Sequence, residues 1–180
     1  MKKRLHLGCG NKYLKDWIHI DIQAYDHVDL NIPVDQLTCF DDESVDEVYA
    51  CHILEHIKRK DIKKVLIEWH RVLKRDGVLR LSVPDWDALV NRYQKTRNLD
   101  ELMGLLYGGQ RNEYDFHYMT FNFDSLTKLL REIGFNKIEK YDPLTFIPEK
   151  YDDYSRAYLP HMDFKHGDLM SLNIVASRIL

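Results

Sequence analysis

The chain of 180 residues is 44% hydrophobic and 31% charged, the make-up of one soluble globular domain, since domains typically hold roughly 100–150 residues. With eight glycines and five prolines, it is neither collagen-like nor low in complexity. Lys and Arg number 26 against 29 Asp and Glu, a net charge of −3 that lacks the basic footprint needed to grip a phosphate backbone, so no nucleic-acid partner is expected.

Residues 4–7 read as a strand that runs straight into Gly8, Cys9 and Gly10. They leave no space for the apolar stretch of about 7–15 residues that an export signal requires. A second apolar run, 17–20, stops at Asp21, and a short segment follows at 28–30. Residues 45–50 alternate so poorly that they suggest a strand buried on both faces, the kind found in parallel sheets. From Asp61 the apolar positions Ile62, Val65, Leu66, Trp69, Val72 and Leu73 fit a helix face, with Lys63, Lys64, Glu68 and Arg71 opposite. Lys74 and Arg75 suit the helix C-terminus, Asp76 and Gly77 turn the chain, and 78–83 is the next strand, closed by Pro84.

Residues 87–96 and 100–107 are expected to be helical. Asp124 is expected to cap a helix carrying Leu126, Leu129, Leu130 and Ile133 on one face and ended by Gly134. Strands follow at 135–141 and 169–179. Between them, 142–168 is longer than ordinary connections and rich in aromatics, which favours a lid-like insertion within a single domain spanning 1–180. Strands alternating with helices give an α/β fold with a mostly parallel sheet. No apolar run approaches the roughly 20 residues of a membrane span. Cys9, Cys39 and Cys51 make no paired framework, so a cytoplasmic, reducing setting is expected.

A strand, a glycine turn and a second strand ending in an acid form the arrangement that binds a nucleotide-like ligand at the carboxyl edge of an open sheet. Glycines let the backbone approach the ligand, and a carboxylate accepts both hydroxyl hydrogens of a ribose. The dinucleotide fingerprint needs a third small residue, and Tyr13 stands there instead. This argues against NAD or FAD and suits a ligand whose ribose carries no phosphate, such as S-adenosylmethionine.

Leu5 to Gly10, Asp21, Val28-Asp29-Leu30, Asp46 to His56 and Leu73 to Leu79, in this order and spacing, resemble the class I S-adenosylmethionine-dependent methyltransferases. The resemblance covers most of the chain. It implies a three-layer Rossmann-like fold whose seven-stranded sheet has the order 3-2-1-4-5-7-6 with the last strand antiparallel. It also implies S-adenosylmethionine bound by Gly8, Cys9, Gly10 and Asn11 under the methionine part, Asp21 at the ribose, Asp29 and Leu30 beside the adenine, and Cys51 and His52 from the fourth strand. Gly10 to Asp21 is shorter than the family pattern, which leaves at most one helical turn near residues 13–15.

Methyl transfer needs alignment more than covalent help, with a base useful for a hydroxyl or protonated amine. Candidates for this role are Asp85 at the fifth strand's end, Tyr114 and His117 in the polar and aromatic stretch 108–117, and His52. The expected acceptor is a small molecule or saccharide, with a homodimer as one way to complete its site. Two other readings compete. One is a noncatalytic cofactor-binding or partner subunit. The other is a zinc hydrolase, because His52-Ile53-Leu54-Glu55-His56 spells H-x-x-E-H, two histidines one helical turn apart with a glutamate base. That motif needs a helix and follows a strand here, so no metal is assigned.

Overall fold

The computed structural model describes residues 2–147, 151–161 and 163–178. Six strands form the main sheet: β1 (Arg4–Leu7), β2 (Ile18–Ile20), β3 (Val45–Cys51), β4 (Leu73–Pro84), β5 (Phe135–Lys140) and, last in the chain, β8 (Ser171–Arg178). Their spatial order is β2-β1-β3-β4-β8-β5. β1 pairs in parallel with β2 and β3, β3 pairs in parallel with β4, and β8 runs antiparallel to both β4 and β5.

The segment 28–30 is not a seventh strand. It is reduced to a single bridge between Ile20 and Leu30, because the backbone N–H groups of Asp29 and Leu30 both converge on the His19 carbonyl and no ladder can propagate. The expected final strand also starts later. Leu169 belongs to β7 (Asp168–Leu169), which pairs with β6 (Tyr158–Leu159) in a separate two-stranded sheet. The far end expected for the final strand, Ile179, lies outside the described residues.

Alternation along the strands separates two faces. Leu5, Leu7, Val48, Ala50, Leu79 and Leu81 join Val65, Leu66 and Trp69 of α1 (Ile62–Val72) and Leu126 and Leu130 of α4 (Phe123–Ile133) in one apolar core. The opposite face carries Tyr49, packed with Leu14 and Ile147. His6 also lies on this side, stacked on Tyr49 at 5.4 Å. This second face has a thin cover in place of a full helical layer. Residues 8–17 hold only turns, with no helix at 13–15, and α5 (Pro143–Phe146) is four residues long.

Helix α4 is capped by Asn122 and not by Asp124. Asn122 Oδ1 accepts the Ser125 N–H at 3.0 Å while Ser125 Oγ accepts the Asn122 N–H at 3.1 Å, a reciprocal capping box. Asp124 sits in the first turn, where its charge favours the helix dipole. The insertion 142–168 is built and not structureless, although 148–150 and 162 lie outside the described residues. Tyr49 Oη donates to Asp153 at 2.6 Å, Asn173 Nδ2 donates to the Ser155 carbonyl at 3.0 Å, and Arg156 donates to the Ile147 carbonyl at 2.7 Å. These bonds tie the 3-10 turn Tyr154–Arg156 onto the sheet. The helices α2 (Trp86–Thr96) and α3 (Met103–Tyr107) close over the carboxyl edge through Leu89, Leu102 and Met170.

Candidate functional site

The carboxyl ends of β1 and β3 open into a cleft of about 850 Å³. At one end lies the loop Gly8–Asn11. Gly8 has φ +60°, and a Cβ there would approach Cδ1 of Ile53 to 1.9 Å, so conformation and space both require glycine. Gly10 has φ +54° with open space around it, and its N–H donates to Asp21 Oδ2 at 2.7 Å. The other carboxylate oxygen accepts the Gln23 N–H at 2.8 Å. Asp21 thus organises the loop with both oxygens, each of which keeps a further lone pair.

Gly8, Cys9, Gly10, Asn11, Cys51, His52 and His117 line this one cleft. Asp21, Asp29, Leu30, Asp85 and Tyr114 are not among its lining residues. Asp29 Oδ2 accepts the His19 N–H at 2.7 Å, which spends that oxygen on holding the chain after β2. Asp85 caps α2 by accepting the Asp87 N–H at 3.1 Å, and burial raises its carboxyl above the ordinary range. Tyr114 is largely exposed, beside the tight loop in which Arg111 Nε donates to Asp115 at 2.6 Å. Burial pushes the Cys9 thiol up to about 12 and the Cys51 thiol well above its usual value. Both sulfurs are therefore neutral fillers and not nucleophiles.

His52 sits at φ +53°, a left-handed backbone that bulky residues seldom adopt and that aims the ring into the cleft wall. The Ser171 hydroxyl donates to the Tyr154 carbonyl at 2.5 Å, so its oxygen must accept from His52 Nε2, 2.8 Å away. His52 Nδ1 stands 3.1 Å from Glu55 Oε1. Both ring nitrogens are therefore committed, and the stretch 54–56 is a single 3-10 turn. His52 and His56 do not form the helical pair of a zinc hydrolase.

A different grouping forms instead. Glu55, fully buried, lies with His56 and His117 so that one ligand atom of each falls within 4.8 Å of the others. The imidazoles of His56 and His117 meet edge to face, with ring centroids 4.6 Å apart. The Tyr118 N–H donates to the Glu55 carbonyl at 2.8 Å and so draws the stretch after α3 against the 3-10 turn. Burial raises the Glu55 carboxyl, but His52, then His56 and His117, outweigh it and hold the group below the ordinary range. His117 is lowered chiefly by burial. The lining also includes Arg111 from the stretch 108–117, Tyr154 from the aromatic insertion, and His6, which was not singled out from the sequence. For His6 a signal existed, because strand alternation places it opposite Leu5 and Leu7.

The family model described as "Methyltransferase domain" matches residues 19–81. The fold is similar to an S-adenosylmethionine-dependent methyltransferase from Archaeoglobus fulgidus (TM-score 0.58, 14% identity, 98% of this chain and 86% of that one). It is also similar to 1,6-didemethyltoxoflavin-N1-methyltransferase from Burkholderia thailandensis, solved with bound 1,6-didemethyltoxoflavin and S-adenosylhomocysteine (0.61, 16%, 99% and 72%). A third is a possible histamine N-methyltransferase from Thermotoga maritima (0.58, 16%, 99% and 82%). No curated protein matches the sequence.

Proposed function

We propose that the chain is a class I S-adenosylmethionine-dependent methyltransferase that methylates a small polar molecule of saccharide type, a reading supported by the methyltransferase-domain match over residues 19–81 and by the fold. The observation that carries this reading is the single cleft joining the glycine loop to His117 and the Arg111–Asp115 pair. One end suits the cofactor. Gly8 and Gly10 keep the backbone bare, Asp21 fixes the loop from just behind the lining and is the residue proposed for the ribose, and Cys51 and His52 form the wall.

When bound, S-adenosylmethionine supplies an electrophilic methyl group on a sulfonium. The chain's own work is then alignment, because a nucleophile held in line with that carbon gains most of its rate from positioning. Arg111, Asp115, Asp152, Tyr154 and His161 in the same lining present charges and hydroxyls to a hydroxylated or amino-bearing acceptor. Sites with few placed polar groups in a concave pocket are typical of small ligands. His117 donates its Nδ1–H to the Leu105 carbonyl at 2.9 Å, so its Nε2 lone pair is left to orient the acceptor.

The test combines calorimetry of S-adenosylhomocysteine binding with mass-spectrometric detection of methyl transfer to a panel of saccharides and small amines. The reading expects cofactor binding and one methylated class of polar small molecule, with slower turnover in His117→Ala. Absence of cofactor binding, which favours the partner-subunit reading, or methylation confined to nucleic acid or protein would reject it.

A further inference from the structure

We propose that Glu55, His56 and His117 form a binding site for one divalent transition-metal ion at the acceptor end of the cleft. The inference rests on the methyltransferase reading only for what the ion would do, and not for whether it binds.

The first observation is the buried carboxylate. Glu55 has no exposed surface; its Oε1 is paired with His52 Nδ1 at 3.1 Å, while Oε2 has no hydrogen-bond partner. A buried carboxylate oxygen left bare in this way is costly, and a metal ion on the side away from His52 would satisfy it.

The second observation is the pinned imidazoles. His56 Nδ1 lies 3.1 Å from the Phe116 carbonyl, and His117 Nδ1 lies 2.9 Å from the Leu105 carbonyl. A carbonyl only accepts, so each Nδ1 must carry its hydrogen, and each Nε2 is left as a lone pair. Backbone carbonyls that fix the tautomer and orientation of a histidine in this way are the usual outer partners of metal-ligating imidazoles. Both rings line the cleft while Glu55 lies behind them, so the three ligands converge from one side and leave the cleft side for water or substrate.

One carboxylate and two imidazoles with open positions select first-row divalent ions over Mg2+ or Ca2+, which prefer all-oxygen sites. In methyl transfer, such an ion would hold the acceptor's oxygen and favour loss of its proton to solvent. That oxygen would then form the new bond to the methyl carbon while the carbon–sulfur bond breaks towards sulfur. This gives His117 a role as ligand, in place of a direct contact with the acceptor.

The test uses the metal alone. Chelator-treated protein, with no cofactor added, is titrated with Co2+ followed by its visible absorption and with Mn2+ followed by electron paramagnetic resonance. The expected result is one ion per chain, with affinity lowered at least about tenfold in Glu55→Gln, His56→Ala and His117→Ala. His117→Ala, whose side chain is only partly buried, serves where Glu55→Gln fails to fold, and retained S-adenosylhomocysteine binding confirms that the variant is native. Absence of stoichiometric binding, or binding unchanged in these variants, overturns the site. Full methyl transfer by chelated enzyme overturns the ion's role while leaving the methyltransferase reading intact. A chain that binds the metal but no cofactor overturns that reading and leaves the site standing.

Discussion

The N–H of Gly10 donates to the carboxylate of Asp21 across 2.7 Å, so the residue proposed for the ribose holds the glycine loop in shape. Asp21→Ala removes that bond and the one from Gln23 and leaves two backbone donors unpaired in a nearly buried place. Loss of charged-acceptor bonds of this kind costs about 1.5–3 kcal/mol. The variant should melt earlier and bind S-adenosylhomocysteine more weakly by calorimetry. Asp21→Asn should recover part of the stability and little of the affinity, because an amide retains only one acceptor oxygen. Cofactor affinity equal to that of the parent in both variants would remove Asp21 from the ribose.

The three free cysteines should differ sharply in reactivity. Cys39 is exposed, whereas the Cys9 thiol is pushed up to about 12 by burial and the Asp21 charge and Cys51 is raised by burial and Asp153. A thiol with a pKa near 12 is ionised to roughly one part in ten thousand at pH 8, and the thiolate is the reactive form. The native protein should titrate with one fast equivalent of a disulfide reagent, and Cys39→Ser should abolish it. Fast modification of Cys9 or Cys51 before unfolding would contradict their role as inert wall residues.

Much of the sheet and the main helices could be read from local pattern. Leu5, Leu7, Val48 and Ala50 alternate, and the face of α1 repeats at helical spacing, because one apolar core imposes both periods. What escaped depends on partners distant in the chain. Asn122 displaced Asp124 as the cap because only Asn122 precedes Ser125 at the spacing of a reciprocal box. The placement of 151–157 comes from Tyr49 and Asn173 reaching across from the sheet, which no local pattern announces. The H-x-x-E-H spelling pointed to His52 and His56 as a pair. The backbone bond from Tyr118 to Glu55 instead brings His117 into the group, and Ser171 takes up His52.

Arg178 shows the same long reach in a purely structural role. Its guanidinium donates to the carbonyls of His70 and Arg71, both at 3.1 Å, and to that of Leu73, and it pairs with Glu43 at 2.8 Å. These carbonyls close α1, which ends without a glycine, so an arginine from β8 takes over the capping task. Arg178→Met keeps the apolar stem and removes the donors. The expected loss is about 2–3 kcal/mol, read as a lower urea midpoint with an unchanged slope. A midpoint within error of the parent would show that water satisfies the helix end equally well.

His6 makes stability depend on pH. It is 2% exposed and stacks on Tyr49, and its Nδ1 has no partner. Burial first, then the charges of His19 and His27, lower its pKa from 6.5 to about 3. Between these values the unfolded chain binds a proton at this residue and the folded chain does not. Stability must therefore fall as the pH drops from about 6.5 and level off only below about 3, at a rate of at most about 1.4 kcal/mol per pH unit for one proton. His19 and His70, lowered first by burial as well, add slope of the same sign, so the informative quantity is the difference between two proteins. His6→Phe keeps an aromatic ring against Tyr49 and removes the titration. Urea unfolding across this window should show a shallower loss of stability in His6→Phe than in the parent, with a constant offset between the two above pH 7. Parallel curves would mean that the folded protein accepts the proton on His6 and that the ring is less shielded than its packing indicates.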